Sequence, residues 1–197
     1  MKIGLYGKRI LVWDLPTRVF HWLLALSFAG AYATGDSERW ALLHVAFGYT
    51  VLGLIVFRLA WGWAGTRYAR FAEFVTGPSS VFRYVSGMIQ GHPTHYVGHN
   101  PAGALSVLAL LSLGLVSAVS GWMVYDSIGG DWLEEVHGWS STVMLAIVFL
   151  HISGVLISSR QHRENLILSM LDGKRRPQPI RPSPQTDRLS HCLCWRA

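Results

Sequence analysis

The chain is 197 residues long, about one domain's worth, and at 51% apolar it sits close to an ordinary soluble domain. Charged residues make up only 14%, against a typical ~25%, and the 12% aromatic content includes nine Trp, which excludes a disordered chain. Two cysteines, both within the last six residues, exclude a disulfide scaffold and a multi-cysteine zinc or iron–sulfur site, while the net charge of +6 must be located before it argues for nucleic acid.

Taken in chain order, a basic N-terminal stretch ends at Arg18, and Val19 to Gly35 then runs 17 residues without a charge. Trp40 to Phe57 is a second uncharged run, of 18 residues. In the connection that follows, Val81, Phe82, Val85, Met88 and Ile89 fall on helical spacing, so Ser79 to Gln90 predicts a short amphipathic helix lying in a membrane interface. Asn100-Pro101 supplies an N-cap and a first-turn proline for a third run, the apolar stretch Ala102 to Trp122. Asp131-Trp-Leu-Glu134 has the pattern of a capping box and opens a fourth, Val136 to Ser159, of 24 residues. Gln161 to Leu171, ended by Gly173, predicts another short helix, and the Pro-, Arg- and Ser-rich stretch beyond predicts a disordered tail. Cys192 and Cys194 in that tail have no assigned role, acylation being open.

A membrane span needs about 20 predominantly apolar residues, range 17–25, and all four runs qualify. Trp40, Trp61, Trp63, Trp122 and Trp132 stand near their ends, as interfacial aromatics do. The runs predict an all-α membrane protein, a four-transmembrane-helix bundle in the bilayer over residues 12–176, with 177–197 as the tail. Of the 17 basic residues, 16 fall on one side of such a bundle and only Arg39 on the other, where Asp36, Glu38, Asp126, Asp131, Glu134 and Glu135 lie. By the positive-inside rule the basic side is cytoplasmic and holds both termini, which predicts a multi-pass protein of the bacterial cytoplasmic (inner) membrane. The charge therefore reports topology, and nucleic acid drops out.

Within the four runs the recurring ionisable residue is histidine: His21, His44, His137 and His151. Such residues are functional candidates because unpartnered polar groups are costly in hydrocarbon. His137 and His151 are separated by 14 residues, which on a helix is only ~40° around the axis and ~21 Å along it. Counted from the outer edge, His44 lies four residues past Trp40 and His137 five past Trp132, at matching depth. His21 and His151 match more loosely, near the inner edge. Two His–His pairs about 20 Å apart, His44/His137 outside and His21/His151 inside, fit two bis-imidazole haems acting as an electron wire. With no Cys-x-x-Cys-His the haems would be non-covalent, b-type. Zinc fits less well, since each pair lacks further ligands.

Arg58 follows His44 by 14 residues and so repeats the His137–His151 geometry, while Arg18 is one turn before His21. Both suit haem propionates; the alternative is arginine snorkelling to the membrane edge. Gly103, Ser106, Gly114, Ser117 and Gly121 give the third run a small-residue face, serving either close helix packing or room for a macrocycle. Three more histidines, His92, His95 and His99, lie in the cytoplasmic connection, where a quinone or proton role competes with plain solvation.

The segments VWDLPTRVFHW (Val12 to Trp22), LLHVAFGY leading into FRLAWGWAG (Leu42 to Gly65), GHNPAGA (Gly98 to Ala104) and HGWSSTVMLAIVFLH (His137 to His151) together resemble the bacterial di-haem cytochrome b561 family, which includes the b-type cytochrome subunit of nickel–iron hydrogenases. The resemblance covers about Val12 to Arg176. It implies His21, His44, His137 and His151 as haem iron ligands. It also implies electron transfer between the quinone pool and a soluble redox partner, such as a periplasmic cytochrome or a hydrogenase. A membrane anchor for a hydrogenase-like complex is a second expectation, and a four-helix transporter with histidine proton relays a third from a different class. Direction of electron flow and oligomeric state, a homodimer included, stay open.

Overall fold

The computed structural model describes residues 9–175, apart from 92, 93 and 95. Seven helices account for most of it: α1 (Leu15–Thr34), α2 (Ala41–Ala64), α3 (Phe71–Phe74), α4 (Pro78–Ile89), α5 (Pro101–Tyr125), α6 (Trp132–His162) and α7 (Leu166–Asp172). A two-residue ribbon joins the two ends of the described region, β1 (Ile10–Leu11) pairing antiparallel with β2 (Lys174–Arg175), so among the described residues the fold is helical but for this clasp. The amphipathic helix expected at Ser79 to Gln90 is α4, one residue earlier. The tail, with Cys192 and Cys194, lies outside the described residues, as do His92 and His95.

Local sequence explains where the helices begin. The Asp14 carboxylate accepts from the Thr17 N–H at 2.8 Å ahead of Pro16, and the Asn100 side chain accepts from the Gly103 N–H at 2.7 Å ahead of Pro101. The capping box expected at Asp131 does not form. Its backbone is already helical (φ −56°, ψ −26°), because Gly129 at φ +96° turns the chain early, and a carboxylate on a helical residue is not placed to accept from the N3 amide. The helix expected over Gln161 to Leu171 is likewise split. α6 continues through Gln161 to His162, Arg163 breaks it in the left-handed region (φ +50°), and α7 starts only at Leu166 with Asn165 as its cap.

α1 packs on α2, α2 on α5, and α5 on α6, with a small core of Phe20, Val51, Ile55 and Leu111 between the first three. α6 meets α5 and α7 closely but α1 and α2 only sparsely, leaving crevices along its length. The bundle is apolar outside and sparingly polar inside: Leu42 is 76% and Leu150 64% exposed, whereas Ser27, Ser120, Ser140 and Ser158 are buried. Water would not tolerate that arrangement over helices of this length, but lipid does. Segments Glu38–Ala64, Pro101–Tyr125 and Trp132–His162 are long and apolar enough to cross a membrane. α1, 20 residues long, carries Arg18 and His21 in its first two turns and is not among these three.

At the closure of the chain, the amides of Val12 and Trp13 both donate to the Gly173 carbonyl, at 2.8 and 3.1 Å. Gly173 has φ +78°, and a Cβ there would stand 2.5 Å from the Trp13 carbonyl oxygen. Gly173→Ala is expected to destabilise the fold by at least the ~1–2 kcal/mol of a left-handed alanine, read as a lower Tm by circular dichroism in detergent.

Candidate functional site

His44 enters the crevice between α2 and α6 from the first turn of α2, and His137 faces it from the second turn of α6. The two imidazoles stand 5.9 Å apart between ring centres, at 84° to one another. The His44 Nδ1 donates to the Ala31 carbonyl at 2.9 Å and the His137 Nδ1 to the Ser117 carbonyl at 2.8 Å. A carbonyl can only accept, so both protons are fixed on Nδ1 and both Nε2 atoms keep a bare lone pair. This is how metal-bound histidines are usually held, with the second nitrogen tied to a carbonyl. Two rings each bonded at about 2 Å to one metal between them would have centres about 6 Å apart, which matches the observed spacing.

The surroundings fit a flat apolar group better than a bare ion. Val45, Gly48, Tyr49, Ala118, Gly121 and Trp122 line the pocket beside the pair. Among the described residues no cluster of three His, Cys, Asp or Glu exists that could coordinate an ion by itself. A Cβ on Gly121 would come within 2.8 Å of the His137 ring, so this glycine makes room for the imidazole. Gly114, by contrast, lies against Ile55 and Met144, where a Cβ would come 2.9 Å from the Ile55 Cδ1. The small-residue face of α5 thus serves helix packing at one level and histidine clearance at another.

At the opposite end His21 of α1 and His151 of α6 are electrostatic neighbours. Arg58 is 2% exposed; its Nη2 donates to the Ala69 carbonyl at 3.0 Å and its guanidinium lies 4.8 Å over the Phe71 ring. It is therefore tucked inside the bundle end and does not snorkel. Arg18 donates through Nη1 to the Leu171 carbonyl at 2.5 Å. Every shielded side-chain N or O without a partner among the described residues sits at this end: Thr17 Oγ1, Arg18 Nε, His21 Nδ1, Arg58 Nη1 and His99 Nδ1. Buried polar atoms are nearly always paired, so such a concentration marks a place shaped for a polar group the protein does not itself supply.

Sequence spacing brought out the four histidines and Arg58 but missed the partners that fix them. The carbonyls of Ala31 and Ser117 carry no signature. Asp14 joins α1 to the end of α2, accepting from Trp61 Nε1 at 3.1 Å and Thr66 Oγ1 at 2.6 Å. The Asp and Trp of Val12 to Trp22 and FRLAWGWAG, which stand 47 positions apart, were the only trace of that tie.

A family model for prokaryotic cytochrome b561 matches residues 12–173. The chain belongs to the prokaryotic cytochrome b561 family. Relatives of this b561 chain include a protein of Rhizobium leguminosarum bv. viciae, 23% identical over 85% of this chain and 89% of its own length. Others come from Azotobacter chroococcum, at 24% over 88% and 91%, and Cupriavidus necator, at 21% over 85% and 87%. All three are named probable Ni/Fe-hydrogenase B-type cytochrome subunits. No solved structure matches the chain.

Although burial pushes the Asp14 carboxyl up, hydrogen bonds from Thr17, Thr66 and Trp61 hold it below the ordinary carboxylate range. A depressed folded pKa gives stability that is present above the unfolded pKa, near 4, and is lost as pH falls through the folded value. Asp14→Asn is expected to lower the Tm at pH 7, with the gap to the wild type closing toward pH 3; a pH series of thermal melts reads both ends.

Proposed function

We propose that the chain is an integral-membrane di-haem b-type cytochrome that passes electrons across the bacterial cytoplasmic membrane between the quinone pool and a soluble redox partner. The observation that carries this reading is the His44/His137 pair, two imidazoles on facing helices with both Nε2 lone pairs turned to ligation by hydrogen bonds at Nδ1. His44 and His137 would hold one haem b near the outer face, and His21 and His151 a second near the inner face, with α1 as the fourth span and both termini in the cytoplasm.

When bound, haem would supply an iron that gains or loses one electron, with His44 and His137, and His21 and His151, as the residues that would hold it. The chain does the rest. The carbonyls of Ala31 and Ser117 orient the outer imidazoles. The apolar pocket wall keeps water away from the outer pair. Arg18 and Arg58, each with an unpartnered shielded nitrogen, would receive propionates of the inner haem.

The side opposite most of the basic residues carries exposed Asp36, Glu38, Asp126, Asp131, Glu134 and Glu135, which suits a partner with a basic docking face. The relatives' name favours a second reading, in which the chain also anchors a hydrogenase to the membrane. Co-purification of a hydrogenase from the native membrane separates the anchored from the stand-alone case.

Purified protein is expected to hold two haems b per chain by the pyridine haemochrome assay. His137→Ala is expected to reduce that to one, leaving the His21/His151 haem and its spectrum. Folded protein without any haem refutes the proposal.

A further inference from the structure

His99 precedes the Asn100 cap of α5, on a connection that the far end of the chain holds in place. Arg175 of β2, 5% exposed, donates through Nη1 to the carbonyls of Tyr96, Val97 and Gly98 at 3.1, 2.8 and 3.1 Å. Its other nitrogens pair with the Glu164 carboxylate, the closer at 3.0 Å. One guanidinium therefore grips three successive carbonyls immediately before His99. The imidazole itself is wedged between Trp13, 4.6 Å away between ring centres at 64°, and Phe74, 4.5 Å away at 39°. A solvated loop histidine would have neither constraint.

This clamped ring ends in a shielded Nδ1 with no partner. Arg58 is its foremost charged neighbour, followed by His151, Arg175 and His21. An aromatic path joins His99 to Arg58: Phe74 meets Phe71 at 5.8 Å, and Phe71 lies under the guanidinium. The nearby carboxylates are already engaged, Asp14 by Thr17, Trp61 and Thr66, and Glu164 by Arg175. What remains is the buried Arg58 guanidinium with a free Nη1, the half-buried Arg18 with a shielded, unpartnered Nε, and an imidazole N–H or lone pair. Charge decides what fits there. A neutral quinone could take one or two of the hydrogen bonds but would add no negative charge to an end where Asp14, already accepting from Thr17, Trp61 and Thr66, is the Coulombic partner of the buried Arg58. An anion with several acceptor oxygens answers both needs.

We propose that His99 completes, with Arg18 and Arg58, a buried carboxylate-binding site that receives an acid side-arm of the haem held by His21 and His151. The proposal rests on the function proposed above and gives His99 a positioning role, distinct from axial ligation. Burial first, then the charges of Arg58 and its neighbours, push His99 down to about 3, so at neutral pH it is a neutral ring able to donate through Nδ1–H. A donor to that carboxylate draws negative charge away from the iron. Its loss makes the inner haem harder to reduce, whereas the outer haem, about 20 Å away by helix geometry, should not respond.

The test is potentiometric titration of the purified full-length protein with its haems, comparing wild type, His99→Leu and His99→Gln. In His99→Leu one midpoint should fall by about tenfold in the electron equilibrium, 59 mV for a one-electron couple, with the other unchanged and haem content still two per chain. His99→Gln, which keeps an N–H donor, should recover most of the shift, and Arg58→Gln should lower the same midpoint. If the leucine variant does not assemble, His99→Phe, a ring with no donor, replaces it, and the same single lowered midpoint is expected. Two haems with unmoved midpoints overturn this site alone, including the case where only the KM for quinol changes; both midpoints falling together also overturns it. Folded protein without haem overturns this site and the function on which it rests.

Discussion

The hydrogen bonds from the His44 and His137 Nδ1 atoms to main-chain carbonyls govern the end of the bundle where α2 and α6 begin. In hydrocarbon an imidazole proton has nowhere to go except a protein acceptor, and helix carbonyls keep a second lone pair after their own helical bond is made. His44 finds one on α1 and His137 one on α5. The two helices that carry no histidine at this level thereby become the props of the two that do. Gly121 follows from the same constraint, since any side chain there would push the His137 ring off the Ser117 carbonyl.

The inner half is organised differently. His21 has no hydrogen-bond partner for its Nδ1, and Thr17 Oγ1, Arg18 Nε, Arg58 Nη1 and His99 Nδ1 at the same end are likewise unpartnered. What holds this end together is peripheral: Asp14 ties α1 to α2, Trp22 donates to the Met170 carbonyl at 3.3 Å, and Arg175 grips the connection before α5. The outer end is thus closed by contacts to the rings themselves. The inner end is a frame built around an interior whose polar atoms stay open.

Much of this was legible in the sequence because helices repeat. The 14-residue separations of His44 from Arg58 and of His137 from His151 mean the same thing wherever a helix runs, and the depth of His44 and His137 could be counted from Trp40 and Trp132. The Asn100 cap worked because proline enforces the boundary. Asp131 failed as a cap because Gly129 set the local backbone before the side chain could act. Contacts across 47 to 79 residues, such as Asp14 with Trp61 or Arg175 with Tyr96, have no period and no local motif, so the frame of the inner end was invisible. His99 looked like a solvated loop histidine for the same reason: the rings that enclose it come from residues 13 and 74, far along the chain.

The ribbon between Ile10–Leu11 and Lys174–Arg175 also bears on how the molecule comes to be made. A chain emerging from its N-terminus has produced every long helix before it reaches Gly173, and only then can residues 10–13 find their partners. Closing that contact spans nearly the whole described length, the slowest kind of contact for a chain to form. Until Gly173 has been made, this basic end therefore has no main-chain fastening between its first helix and its last.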